Sequence, residues 1–270
     1  MRGTSRMSLE QAAEKFEPAL RTAGARSVLF GEQLFALVDA LDGAGPLRRT
    51  LTDPSIDADA KAGLARRLLA AAEPQVVELV GDLARARWSA EADLAEAVEE
   101  LGFQAVLAAA EASGELVRVE DELFRITRAL IGQREVRRAL SDGSVPVARR
   151  TALVDQILAG RAAPVTALIA RRATASPRGR RFVATLGYVG DLAAARRKRL
   201  VASVTSGTQL SDGQRQRLAA ILGQAYGGDV QLNVTVDASV LGGLRIQIGS
   251  DVVDSTVLSR LDDARRRLAS

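Results

Sequence analysis

Cysteine and histidine are both missing from this 270-residue chain. The first absence excludes disulfides, thiol nucleophiles and thiolate metal sites, and the second removes the commonest general base and metal-ligating imidazole. Aromatic residues are scarce, with 6 Phe, 2 Tyr and 1 Trp. The cores must therefore be built from Leu, Val, Ile and Ala, a mixture that favours closely packed helices. No stretch of about 18 apolar residues runs free of charge, and the N-terminal MRGTSRMSLEQAAEKF lacks an apolar run of signal-peptide length. These absences give the expectation of a cytosolic chain, held at a membrane only through partners. Lysine is rare too: Lys15, Lys61 and Lys198 are the only lysines among 37 basic residues, and the net charge is +4.

What is present is an internal repeat. QLFALVDALDGAGPLRRTLTDPSIDADAKAGLARRLL (33–69) aligns without a gap on ELFRITRALIGQREVRRALSDGSVPVARRTALVDQIL (122–158) at an offset of 89, with 12 of 37 positions identical. The identities include Leu34/Leu123, Phe35/Phe124, Arg48/Arg137, Asp53/Asp142 and Ser55/Ser144. A register kept through the non-helical LTDPS and LSDGS argues for duplication over shared composition. Each copy reads as helix, turn, helix: Leu34, Leu37, Val38 and Leu41 have helical spacing, and Leu64 and Leu68 resume it. Asp53 or Asp57 in the first copy and Ser144 in the second are candidate caps. Further helices are expected over 74–87, 91–112, 164–173 and 178–197, with Pro18 interrupting the first helix of the first copy. Trp88 falls near the junction and is expected to anchor packing between the copies.

Beyond AARRKRL the period changes. LVASVTS (200–206) and VQLNVTV (230–236) are strand-like, and GGLRIQIG alternates Leu244, Ile246 and Ile248 with Arg245 and Gln247. Between the first two lies a helix opened by a capping box, Ser211 to Gln214, with Leu218, Ile221, Leu222 and Ala225 as its apolar stripe. The expected fold is mainly α: two consecutive small helical bundles, 1–90 and 91–195, then a small α+β module, 196–270.

Several motifs have plain structural readings. Gly242 and Gly243 precede a strand rather than a helix N-terminus, so they make a turn and not a phosphate loop. Arginine clusters at 171–172, 178–181, 196–199 and 265–267 raise the alternative of a basic helical adaptor for nucleic acid. They are interspersed with acids and lack an aromatic stacking set, which favours solvated faces or acidic partner helices. Adjacent carboxylates such as Glu99 and Glu100 have no apolar pocket to tune them for acid and base work. No catalytic residue, metal site or cofactor is expected.

The tail VTVDASVLGGLRIQIGSDVVDSTVLSRLDDARRRL resembles the C-terminal signature of the delta subunit of bacterial F-type ATP synthases, counterpart of the mitochondrial oligomycin-sensitivity-conferring protein. The resemblance rests on Leu241, Gly242, Gly243, Leu244, Arg245, Ile246, Gln247, Ile248, Gly249, Val253, Asp254, Ser255, Ser259, Arg260 and Leu261. AVLAAAEASGEL (105–116) is similar to the family's first helix, and the front copy is the departure from its pattern. The resemblance implies a non-catalytic stator subunit. It would link alpha-subunit N-termini on the catalytic head to the C-termini of peripheral-stalk b subunits, at the cytoplasmic face of the cell membrane and peripheral to it, so that rotor torque drives ATP synthesis. Candidate alpha contacts are Val106, Leu107 and Ile169; candidate stalk contacts are Leu244, Ile246, Val257 and Leu261 among the signature residues. No nucleic acid partner is implied.

Overall fold

The computed structural model describes residues 1, 3–198, 200–226, 230–238, 240, 242–248 and 251–254. Two compact units emerge, Met1–Ala194 and Ala195–Ser270. The first is helical: α1 Gly3–Ala23, α2 Ser27–Gly43, α3 Gly45–Thr52, α4 Ala58–Leu68, α5 Pro74–Arg85, α6 Glu91–Ala112, α7 Leu116–Ala129, α8 Arg134–Ser141, α9 Val147–Leu158, α10 Pro164–Ala175 and α11 Phe182–Lys198.

The repeat is visible in these bounds. Adding the offset of 89 carries α3 onto α8 residue for residue, α1 onto α6 and α2 onto α7, all within two residues or so at their starts, and carries α6 onto α11. Helix α6 is thus the sixth helix of the first copy and the first of the second. Its sequence explains the double role: from Leu101 to Ala110 it offers only apolar, small or amide side chains, and all ten are buried. A helix that is apolar all round needs neighbours on every side. Leu94, Ala97, Val98 and Leu101 join a core with Leu9, Phe16, Leu34 and Leu83, while Phe103, Val106 and Leu107 join a second core with Leu123, Ile169 and Leu186. Each fully buried Leu or Phe contributes about 1.5–3 kcal/mol.

The inter-helix turn recurs in atomic detail. Asp53 accepts from the Ser55 N–H at 2.8 Å and hydroxyl at 2.7 Å, and Asp142 accepts from the Ser144 N–H at 2.9 Å and hydroxyl at 2.6 Å. These bonds hold both carboxyls below the usual carboxylate range. The buried cation that follows is kept too: Lys61 donates to the Asp53 carbonyl and Arg150 to the Val145 and Thr174 carbonyls. The cap of α4 is Asp57, which accepts from the Ala60 N–H at 2.9 Å, and α9 has no side-chain cap. Ser144 therefore closes the turn rather than capping the helix.

Three further expectations are corrected. Pro18 lies inside α1 without ending it, because Leu9, Ala12 and Phe16 before it and Leu20 after it are buried together, while its own ring is exposed. Trp88 packs on the first core and donates to the Leu83 carbonyl at 2.9 Å, so it serves one copy. Helix α11 starts at Phe182 rather than 178 because Arg178 and Gly179 both take left-handed backbone angles.

In the second unit the order is β1 Leu200–Ser206, α12 Asp212–Tyr226, β2 Val230–Val236, β3 Leu244–Ile248 and β4 Asp251–Asp254. The sheet order is β2-β1-β3-β4, with β1 and β2 parallel and the other pairs antiparallel. A parallel pair requires a crossover, supplied by α12. The capping box forms, with the Ser211 N–H donating to Gln214 at 2.9 Å. Leu222 packs on Ala202, Val204, Val230, Ile246 and Ile248, whereas Ile221 is exposed.

Candidate functional site

The first unit is welded where α2 crosses α6 and meets the loop between α10 and α11. Close approach is set by two glycines: a Cβ on Gly31 would sit 2.8 Å from the Gly102 carbonyl oxygen, and one on Gly102 would sit 2.7 Å from the Phe35 ring. Phe35 meets Phe103 edge-on at 5.0 Å, with the Arg172 guanidinium 4.8 Å over its ring. Arg172 also donates to both oxygens of Asp39 at 2.8 Å.

Beside this lies an arginine-carboxylate cluster. Arg178 reaches Asp42 of α2 at 2.6 Å, and the Ala95 carbonyl at 3.1 Å and Glu99 at 3.2 Å on α6. Arg180 also pairs with Glu99, whose carboxylate is almost fully buried. Tyr188 donates to Glu100 at 2.6 Å; burial, followed by that hydrogen bond, pushes its phenol far above the usual tyrosine range. The basic run around 178–181 is therefore largely paired within the chain, which removes it from the cations available to nucleic acid.

Glu122 fixes α7 to the start of α10, accepting from the Ala163 N–H and from Arg118, each at 2.8 Å. Burial alone would raise its pKa, but the nearby Thr166 hydroxyl, the Ala163 N–H and Arg118 outweigh it and hold the carboxyl below its ordinary value. A depressed acid gives stability that is complete above the unfolded pKa of about 4.3 and is lost as pH falls through the folded value. Glu122→Gln should therefore melt earlier than the parent at pH 7, and the gap should close on acidification below about pH 4. A gap that persists unchanged at pH 3 would sink this assignment.

The three candidate alpha contacts need correction. Val106, Leu107 and Ile169 are 0% exposed and form part of the second core. The pattern marked them as apolar on helices but could not show that their faces were already filled. Surface apolar side chains lie elsewhere: Val117, Phe124, Ile131, Val147 and Ile157 in the second copy, and Met7, Leu29 and Leu68 in the first. The repeat does not single out Phe124 as a surface residue, because its partner Phe35 is buried.

In the sheet unit, Ile246 and Ile248 are also core, and Leu244 is half-buried against them. Arg245, Val252 and Val253 are exposed, and β4 is an edge strand. Gly242 and Gly243 take φ of 73° and 83°, as a turn into β3 requires. Asp254 closes β4 opposite Arg245. Leu241, Gly249, Ser255, Val257 and Leu261 lie outside the described residues. Among the described residues there is no cluster of metal-ligating side chains, and no helix is long and apolar enough to cross a membrane.

Comparison with known proteins supplies the frame for these surfaces. Residues 104–268 match the family model described as ATP synthase delta (OSCP) subunit. The chain is 54% identical over 270 residues to ATP synthase subunit delta of Beutenbergia cavernae, covering 100% of both chains. It is 44% identical to the same-named protein of Kineococcus radiotolerans, over 99% of this chain and 97% of that one. A further relative, from Streptomyces avermitilis, is 43% identical over 99% of this chain and 98% of that one. These relatives span the front copy, which the family model does not reach.

Proposed function

The chain belongs to the ATP synthase delta (OSCP) subunit family, and from that premise we propose that it is the stator link between the catalytic head and the peripheral stalk, without catalysis of its own. The observation that carries this reading is the 54% identity to an ATP synthase delta subunit along the full length of both chains. In this reading the helical unit takes the N-terminal helices of alpha subunits, and the sheet unit takes the ends of the b subunits, at the cytoplasmic face of the membrane. The three modules 1–90, 91–195 and 196–270 are the proposed functional divisions, with α6 belonging structurally to both helical copies.

Two features support a load-bearing linker. Glycine-permitted contact and buried arginine-carboxylate pairs tie the two copies into one unit, so a pull on one copy is passed to the other. The sheet unit leaves Arg245, Val252 and Val253 facing solvent along the β3 and β4 side, and we place the stalk contact there instead of at Ile246 and Ile248. Interfaces that resist torque need slow dissociation, which comes from apolar anchors ringed by charge.

The test is reconstitution. An ATP synthase depleted of this chain should keep ATP hydrolysis but lose proton-driven synthesis, and the full chain should restore it; the isolated chain should hydrolyse no ATP. Calorimetry of a peptide copied from the alpha N-terminus against the full chain should give saturable binding. If depletion leaves synthesis intact, or the peptide gives no heat at any temperature, the linker reading fails.

A further inference from the structure

The two copies differ where a buried cation crosses from the inter-helix turn toward the next helix. Arg150 spans that gap: it donates to the Val145 carbonyl of its own turn and, at 2.6 Å, to the Thr174 carbonyl in the last turn of α10. Its counterpart Lys61 is as deeply buried, at 4% exposure, but stays on its own side. The Asp53 carbonyl, at 3.2 Å, is its one hydrogen-bond acceptor among the described residues. Helix α5 starts at Pro74 as α10 starts at Pro164, so the position matching Thr174 is Ala84. The end of α5 is served instead by Trp88, whose indole N–H donates to the Leu83 carbonyl. Between the turn and the chain leaving α5, the first copy holds a cleft of about 550 Å³. Lys61 and Ile56 line one side of it, and Arg87, Trp88 and Ser89 the other.

We infer that this cleft is a binding site for a small organic phosphate with a flat body, the chemistry of a nucleoside monophosphate. Its volume suits a ligand of that size. Lys61 supplies a compact positive charge with three N–H donors, of which the Asp53 carbonyl takes one. A buried ammonium with donors to spare calls for a further acceptor. The Asp53 carboxylate, held by Ser55, feels that charge without forming an ion pair with it. Arg87 is exposed and pairs with no carboxylate among the described residues. Arg85 is already bound to Asp59 and Asp82, and Asp57 caps α4, so neither is counted toward the ligand. The hydroxyls of Thr4 and Ser89 border the same space and suit phosphate oxygens. Trp88 and Ile56 give the cleft an apolar side for the body that carries the phosphate. The second copy has lost both halves of this arrangement, since its cation is spent on Thr174 and Arg178 stands where Trp88 does when the chains are matched at Pro74 and Pro164. The inference is independent of the stator reading, because the cleft belongs to the isolated chain.

Calorimetry of the full chain with adenosine monophosphate as the probe tests this, and the emission of Trp88, the sole tryptophan, reports where the probe sits. Saturable binding with a dissociation constant of about 1 mM or tighter is expected, together with a shift in Trp88 emission. Adenosine and inorganic phosphate each carry half of what the cleft recognises, so each should bind about tenfold more weakly or not at all. Arg87→Ala should weaken binding of the probe about tenfold, the loss of one charge-assisted bond, without moving the melting temperature, because Arg87 is exposed. Lys61→Arg is the sharper variant. It keeps the charge but installs the side chain of the second copy, long enough to reach the Ala84 carbonyl as Arg150 reaches that of Thr174. It should fold, as its melting will show, yet bind the probe about tenfold more weakly; if it does not fold, Arg87→Ala decides alone. No saturable binding up to about 10 mM overturns the proposal. So does equal affinity for adenosine or for inorganic phosphate, or unchanged binding in either folded variant.

Discussion

Gly31→Ala is expected to lower the stability of the helical unit by about 2–3 kcal/mol, although alanine is the better helix former by about 1 kcal/mol. The new methyl would lie 2.8 Å from the Gly102 carbonyl oxygen. That oxygen is backbone, so relief requires α2 and α6 to separate along their shared length, which loosens Phe35 against Phe103 and Arg172. Gly63→Ala in α4 meets nothing within 4 Å and has no left-handed backbone angle. It should stabilise by about 0.5–1 kcal/mol. Urea unfolding followed by Trp88, the sole tryptophan and part of the first core, measures both. If the two substitutions shift the midpoint in the same direction, the close approach of α2 and α6 is not what Gly31 is for.

Arg178→Ala should cost about 3 kcal/mol. Glu99 is buried and would keep Arg180 as its described partner, while Asp42 and the Ala95 carbonyl lose their donor. Removing one member of a buried pair costs about 3–5 kcal/mol because the remaining charge stays desolvated; the surviving Arg180 places the expectation at the lower end. Two companions separate charge from backbone. Arg178→Ala combined with Glu99→Gln should recover part of the loss, since the orphaned charge is gone. Arg178→Gly should be about 1 kcal/mol less harmful than Arg178→Ala, because the position has φ of 46°, which glycine accepts without penalty. Additive effects of the double variant would show that Arg178 and Glu99 are not coupled.

Much of the fold was legible from local pattern. The spacing predicts helix over 91–112 and strands over 200–206 and 230–236, and those are the bounds of α6, β1 and β2. Periodicity works here because each of these segments ends at a glycine, serine or charged turn that stops the period. The capping box at Ser211 and Gln214 was equally plain, since both bonds are made within one turn. The partner surfaces were not legible. Val106 and Ile169 have the composition of a helix-binding face, but that composition is identical to a core, and α2 and α10 fill the space around them. Ile246 failed as a surface residue for the same reason: alternation names the face that is apolar, and the packing of α12 makes that face interior.

The sequence by itself determined that the chain is mainly helical with a small sheet, that a helical unit is duplicated at an offset of 89, and that thiol and imidazole chemistry are absent. These follow from composition and from interactions spanning a few residues. Only the tertiary structure decided that α6 belongs to both copies and that Phe35 is covered while Phe124 is open. The two phenylalanines sit in the same repeat position, so local pattern predicts the same fate for both. Burial is a property of what lies across from a side chain: Phe35 meets Phe103 of α6 and Arg172 of α10, whereas Phe124 has the Arg128 guanidinium of its own helix 5.9 Å over its ring and stays open.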